Sequence, residues 1–175
     1  ENGEKILSKE IKDISGYPMD VLLYKDYFVL SQFTNVINPL THQMTTAVEI
    51  YDDLEGVVDI VVGGIGSGGT MTGIGDYLHM VSEATLIGVE PLESPLITKG
   101  IANTHKIDGI GANFIPEIFD IKSIDEIVSV DYDESIKGVK MLAGEEGVFV
   151  GISSGAAFMV GLKEALKPYN YNKNI

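Results

Sequence analysis
Apolar positions along this chain switch repeatedly between helical and strand periods. Leu7, Ile11 and Ile14 recur at helical spacing until Gly16-Tyr17-Pro18 stops them. Tyr27-Phe28-Val29-Leu30 is a short apolar run that reads as a strand. Asn38-Pro39 breaks the chain, and a helix follows over about residues 41–53. Val57-Val58-Asp59-Ile60-Val61-Val62 is a β-branched run suited to a strand buried on both faces. A glycine-rich turn and a helix through Met80 come next, then the strand Leu86-Ile87-Gly88-Val89. Residues 91–123 are rich in turn formers and predict mostly loop. Ile127-Val128-Ser129-Val130 predicts a further strand and residues 134–145 a helix. Val148-Phe149-Val150 leads to a final helix over residues 154–166, closed by Pro168. Helices and strands in alternation predict an α/β fold with a mainly parallel sheet.

Composition changes this picture in a few places. With 175 residues, 45% of them hydrophobic, the chain suffices for one domain and part of a second. A core of that size needs no disulfide or metal staple. Twelve basic against 26 acidic residues give a net charge of −14, a field that repels a phosphate backbone and argues against nucleic-acid binding. A single phosphate is still admissible, because backbone N–H groups at a helix start hold it without cationic side chains. Cysteine is absent, which removes disulfides, thiolate metal sites and a catalytic thiol. Arginine is absent too, so no guanidinium fork binds a carboxylate or phosphate here. No apolar run approaches the ~20 residues that span a bilayer and no secretory leader starts at Glu1, so a cytoplasmic setting is expected. The start lacks an initiator Met and the chain stops at Asn172-Lys173-Asn174-Ile175 without an evident close, which reads as a piece of a longer protein.

Three segments are candidates for chemistry. Gly63-Gly64-Ile65-Gly66-Ser67-Gly68-Gly69-Thr70 lies between a strand and a helix. Its N–H groups, aimed by the helix dipole, would cradle a phosphate, with Ser67 and Thr70 adding hydroxyl donors. A Cβ there would block close approach of the backbone. A P-loop is excluded, since Thr70 stands where its lysine should follow. A dinucleotide site stays open: Gly64, Gly66 and Gly69 match G-x-G-x-x-G, and Glu90 stands where a ribose-binding acid belongs. So does a merely tight turn.

Gly151-Ile152-Ser153-Ser154-Gly155 matches the nucleophile elbow of hydrolases, but that site needs a histidine later in the chain. His42, His79 and His105 all precede Ser153. Serines capping the last helix are the plainer reading. The third segment runs from His105 through Asp108, Gly109 and Gly111 to Phe114, and a glycine-rich loop explains it as readily as backbone approaching a ligand. His42 and His79 lie within predicted helices, where surface or packing roles are expected. No His, Asp and Glu cluster has metal-ligand spacing, so no metal is expected. Asp131-Tyr132-Asp133-Glu134 reads as a dipole-favoured helix start.

Together these segments resemble the cysteine synthases (O-acetylserine sulfhydrylases), in the fold-type II group of pyridoxal-phosphate enzymes. The matching strings are Ser31-Gln32-Phe33-Thr34-Asn35, Thr45-Thr46-Ala47-Val48-Glu49-Ile50, the glycine loop through Thr72-Gly73, and Val89-Glu90-Pro91. His105 to Phe114 with Ile115-Pro116, and Gly151 to Ala157, continue them in the family's order. The resemblance implies a three-layer αβα fold like the tryptophan synthase β subunit. Residues 1–31 would end a small mobile domain, and 32–175 would form most of the large domain. Gly66, Ser67, Gly68, Gly69 and Thr70 would bind the phosphate of pyridoxal 5′-phosphate, which makes Glu90 a structural residue. Ser153 would face the pyridine nitrogen, Gln32 would lie near the substrate carboxylate, and Gly109 would place its backbone beside the substrate.

The family reaction is a β-replacement that makes L-cysteine and acetate from O-acetyl-L-serine and sulfide. It relies on a lysine that is both Schiff-base partner and general base, and on a Ser/Thr-Ser-Gly-Asn-Thr substrate loop. Both lie in the family before the position of Glu1, so no catalytic residue is assigned within this chain. The late Ser-Ser/Cys-Gly-Glu-Arg-Tyr segment is also missing. The resemblance further implies a homodimer and docking of the serine acetyltransferase C-terminal tail. A cystathionine β-synthase-like enzyme and a catalytically dead homologue that holds the cofactor or a partner are the alternatives.

Overall fold
The computed structural model describes residues 31–175, together with the backbone of residues 11–12 and 18–19. Those two short segments form an antiparallel pair, β1 (Ile11–Lys12) and β2 (Pro18–Met19). A strand therefore stands at Ile11, where apolar spacing predicts helix. Three apolar residues at that spacing are a weak signal, which cross-strand pairing overrides. Leu7, Ile14 and the strand predicted at Tyr27 to Leu30 lie outside the described residues.

The main sheet has three parallel strands among the described residues: β3 (Ile60–Gly64), β4 (Thr85–Pro91) and β5 (Glu126–Val130), in that spatial order. Apolar side chains alternate across it. Val61, Leu86 and Ile127 join a core with Ala47, Met71, Ile74 and Leu78, while Ile60, Ile87, Val89 and Val130 join a second core with Ala156 and Val160. The first core belongs to helices α2 (Thr46–Asp53) and α3 (Gly69–Val81), and α1 (Ile37–Met44) packs on α3. The second belongs to α6 (Ile152–Ala165), which lies on the sheet with α5 (Tyr132–Glu145) packed against it. A short helix, α4 (Leu96–Lys99), follows β4. The result is the expected three-layer αβα arrangement with a parallel sheet.

Several boundaries differ from the sequence pattern. The helix expected from residue 41 starts at Ile37, because Pro39 sits in the first turn, where a missing N–H costs nothing. It then breaks at Thr45, so that α1 and α2 are two helices. The strand expected from Val57 begins at Ile60. Val57 is exposed, and the preceding segment pairs with the chain terminus: Asn174 Nδ2 donates to the Val57 carbonyl, and the Asp59 carboxylate accepts the Asn174 N–H. At α5 the acidic start behaves as expected, with Asp131 as N-cap accepting the Glu134 N–H at 2.7 Å. At α6 Gly151 takes the cap position and neither Ser153 nor Ser154 makes a capping bond, so the capping reading of those serines is corrected. Both then lie in the helix's first turn, free for other partners.

Candidate functional site
In parallel α/β sheets, ligands bind outside the carboxyl ends of the strands, and here the glycine loop leaves the end of β3. Gly64, Gly66, Ser67, Gly68 and Thr70 line a hollow of about 180 Å³, and Gly109 closes it from the other side. That is less than the roughly 300–1,000 Å³ of a whole small-molecule site and suits one anionic group or part of a larger ligand. No carboxylate is among these lining residues, although the chain carries a charge of −14.

Donors converge on the hollow. The N–H groups of Gly66, Ser67, Gly68 and Thr70 have no hydrogen-bond acceptor among the described residues, as befits the start of α3. Ser67 Oγ already accepts from Asn38 Nδ2 at 3.2 Å and from the Gly69 N–H at 3.4 Å, so its own proton is free to donate. Thr70 Oγ1 lies 3.1 Å from His42 Nε2, and His42 Nδ1 lies 2.9 Å from Thr46 Oγ1. With the proton on Nε2 the ring donates to Thr70, whose hydroxyl then points its proton at an anion. Free N–H groups, two oriented hydroxyls and a helix start together fit a phosphate dianion.

The glycines serve the loop differently from the expectation that their missing Cβ makes room for a ligand. A Cβ on Gly66 would fall 2.5 Å from the Gly109 carbonyl oxygen, one on Gly69 would strike the Asn38 amide, and one on Gly68 would lie 2.7 Å from Phe119. Gly68 also has φ +80°, a conformation that glycine adopts at no steric cost. Bare backbone is therefore required by protein packed behind the loop.

The other sequence-predicted residues assemble around this hollow unequally. Gly109, at φ +95°, would place a Cβ 3.2 Å from Ser153 Oγ, so Ser153 stands directly against the wall of the hollow. Gln32 is exposed and is joined to the loop through its backbone, its carbonyl accepting from Asn38 Nδ2 at 2.8 Å. Glu90 is 1% exposed, and its carboxylate accepts from the Ile97 N–H, Thr98 Oγ1 and Ser129 Oγ. Its acceptors are thus spent on protein donors around a buried carboxylate, which removes the ribose-binding reading and with it the dinucleotide site. His105 is structural as well: Nδ1 accepts the Ile107 N–H and Nε2 donates to the Gly111 carbonyl at 2.8 Å. His79 pairs with Asp125 at 3.1 Å, a surface role as expected.

Two residues escaped the sequence reading. Asn38 links Gln32 to Ser67, and His42 orients Thr70 instead of filling a packing or surface role. His42 and Thr46 share a face across the α1–α2 break, at a spacing of four, but nothing in the sequence says that Thr70 meets them. No lysine lines the hollow. Among the described residues no cluster of three His, Asp or Glu is placed to hold a metal, and no helix is long and apolar enough to cross a membrane.

Comparison with known proteins identifies the family. The cysteine synthase of Buchnera aphidicola from Schizaphis graminum is 43% identical over 160 residues, 86% of this chain and 50% of that protein. Cysteine synthase B of Campylobacter jejuni is 48% identical over 130 residues, 74% of this chain and 43% of that protein. The solved structure of cysteine synthase from Entamoeba histolytica superposes with a TM-score of 0.81 at 40% identity, covering 85% of this chain and 44% of that one. The chain spans about half the length of the curated relatives it matches. The family model described as pyridoxal-phosphate dependent enzyme matches residues 10–172. A match of that extent, on a fold shared with solved members, places this chain in the family of pyridoxal-phosphate dependent enzymes.

Proposed function
We propose that the protein makes L-cysteine and acetate from O-acetyl-L-serine and sulfide, with pyridoxal 5′-phosphate as cofactor. The observation that carries the reading is the carboxylate-free hollow at the end of β3, where unpaired N–H groups, Ser67 and Thr70 converge, in a chain similar to several cysteine synthases. Gly66, Ser67, Gly68 and Thr70 hold the cofactor phosphate directly. Gly69 acts through Ser67, whose oxygen its N–H engages. Bound pyridoxal phosphate supplies an electron-withdrawing ring that stabilises negative charge at the substrate Cα.

The chain's own groups bind and orient. Ser153 offers a neutral hydroxyl to the ring nitrogen, which suits elimination and replacement better than an aspartate would. Gln32 and the Gly109 backbone hold the substrate, in keeping with a sequence that has no arginine to grip a carboxylate. The lysine that anchors the cofactor and moves the Cα proton is assigned to protein before Glu1. In the same reading residues 1–31 end a small domain, 32–175 belong to the large one, and the protein is cytoplasmic. A homodimer is supported by the exposed apolar residues Val36, Ile37, Leu40 and Met44 along α1. Docking of a serine acetyltransferase tail rests on the family resemblance.

Borohydride reduction of the full-length protein followed by intact-mass measurement tests the reading, together with an assay of cysteine formed from O-acetylserine and sulfide. One pyridoxyl group per chain and cysteine production are expected. A full-length protein that retains no pyridoxyl group, or retains it and makes no cysteine, overturns the proposal.

A further inference from the structure
We propose that Asp108-Gly109 is a site of spontaneous isoaspartate formation, set by the fold on the wall of the hollow. In this chemistry the backbone nitrogen after an aspartate attacks that aspartate's side-chain carboxyl carbon. The carboxyl is attacked in its protonated form: the new N–C bond forms as the amide N–H proton and the carboxyl hydroxyl leave together as water, closing a five-membered succinimide. Water then adds to one of the two ring carbonyls. Opening at one restores aspartate; opening at the other leaves the main chain running through the former side chain, with one extra backbone methylene and no change in mass. Only water is exchanged, so no oxidant or cofactor is needed.

Bulk on the following residue hinders the attack, and glycine offers none. Asp108 is the one aspartate in the sequence that precedes a glycine; every other is followed by Ile, Val, Leu, Tyr, Asp or Glu. The structure leaves both reacting groups free. Residues 108 and 109 form an exposed turn, the Asp108 carboxylate has no hydrogen-bond or ionic partner among the described residues, and the Gly109 N–H has no acceptor there. Several other aspartates are held: Asp120 accepts the Lys122 N–H, Asp125 that of Leu86, and Asp131 that of Glu134.

The fold also prevents the simplest protection. A side chain at residue 109 would be strained at φ +95° and would crowd Ser153 Oγ at 3.2 Å. Ile107 and Ile110 are buried in the core on either side, so an added methylene displaces Gly109, between Ser153 and Gly66. That consequence rests on the cofactor reading above, whereas the isomerisation does not.

The full-length protein, aged at neutral pH and physiological temperature, is digested, and the peptide holding residues 107–114 is followed by chromatography and fragmentation. A second peptide of identical mass, with isoaspartate at residue 108, is expected to accumulate as the dominant isomer. Asp108→Glu protein aged in parallel should not form it, because a six-membered ring closes far more slowly. Absence of the isomer from folded protein, under conditions where the urea-unfolded chain forms it, overturns the proposal. Cofactor retention after dialysis, read by absorbance, is expected to fall in step with the isomer in the natural protein and to hold in Asp108→Glu. Isomer without loss of cofactor overturns the effect on the hollow, while protein that never carried cofactor counts against the functional reading alone.

Discussion
Gly68 illustrates how a single residue serves the site from behind. Its φ of +80° and the 2.7 Å approach of Phe119 both require glycine, while the ligand side of the loop is left open. Gly68→Ala is expected to destabilise the fold by about 1–3 kcal/mol through backbone strain, seen as a lower urea midpoint. An unchanged midpoint would mean that the loop relaxes around the methyl group. Thr70 acts on the ligand side. On the proposed phosphate site, Thr70→Val removes a hydrogen bond to a charged group, worth about 1.5–3 kcal/mol, so the Kd for pyridoxal phosphate should rise by about ten- to a hundredfold. His42→Ala should raise it less, since Thr70 keeps its hydroxyl and loses only its orientation. Titration of the apoprotein measures both, and an unaltered Kd for Thr70→Val would move the phosphate elsewhere.

At the level of elements, the strand ends are tied to the loops that follow them. Glu90, near the end of β4, holds α4 through the Ile97 N–H and Thr98 and reaches β5 through Ser129. Ser94, in the turn before α4, in turn binds Asn113 and the Asn103 N–H, which steadies the loop that carries Gly109. Glu90→Ala would take the acceptor from the half-buried Ile97 N–H and Ser129 hydroxyl, while exposed Thr98 can turn to water, at about 1–3 kcal/mol for a group left unsatisfied. Stability to urea should therefore fall by about 1–3 kcal/mol, and an unchanged urea midpoint would show that water replaces the carboxylate. On the opposite face α5 and α6 approach closely because both contribute glycine at the crossing: a Cβ on Gly138 or Gly155 would lie 2.3 Å from a carbonyl oxygen of the other helix. That contact keeps α6, and with it Ser153, seated on the sheet.

For this chain taken as a whole the notable quantity is charge. A net −14 opposes the approach of an anionic cofactor, yet the hollow proposed to receive it has no carboxylate in its lining. Repulsion therefore acts at long range and hydrogen bonding at short range. Raising ionic strength from about 0.01 M to 0.15 M shortens the screening length from about 30 Å to about 8 Å, so pyridoxal phosphate should associate faster as salt is added. Stopped-flow absorbance would read this, and a rate that falls with salt would show that local positive potential dominates the encounter.

Much of this protein is written locally in its sequence. The parallel α/β class follows from apolar runs separated by helical periods, and the phosphate-cradle candidate from glycines between a strand and a helix. The acidic start of α5 was legible because capping and dipole effects act within one turn. Local signals failed where distant partners decide. Val57 leaves the strand because Asn174 binds that segment from the far end of the chain, and Pro39 joins a helix because its position within the first turn, not its identity, sets the cost. The motif by itself left Glu90 open between a ribose ligand and a structural acid; the family resemblance made it structural, and the donors from α4 and β5 show what it holds. His42 reads as an ordinary helical residue until folding brings Thr70 to its ring. Short-range periodicity and propensity thus determined the elements and the kind of loop, whereas hydrogen-bond partners tens of residues away, which no local pattern encodes, decided what each polar group does.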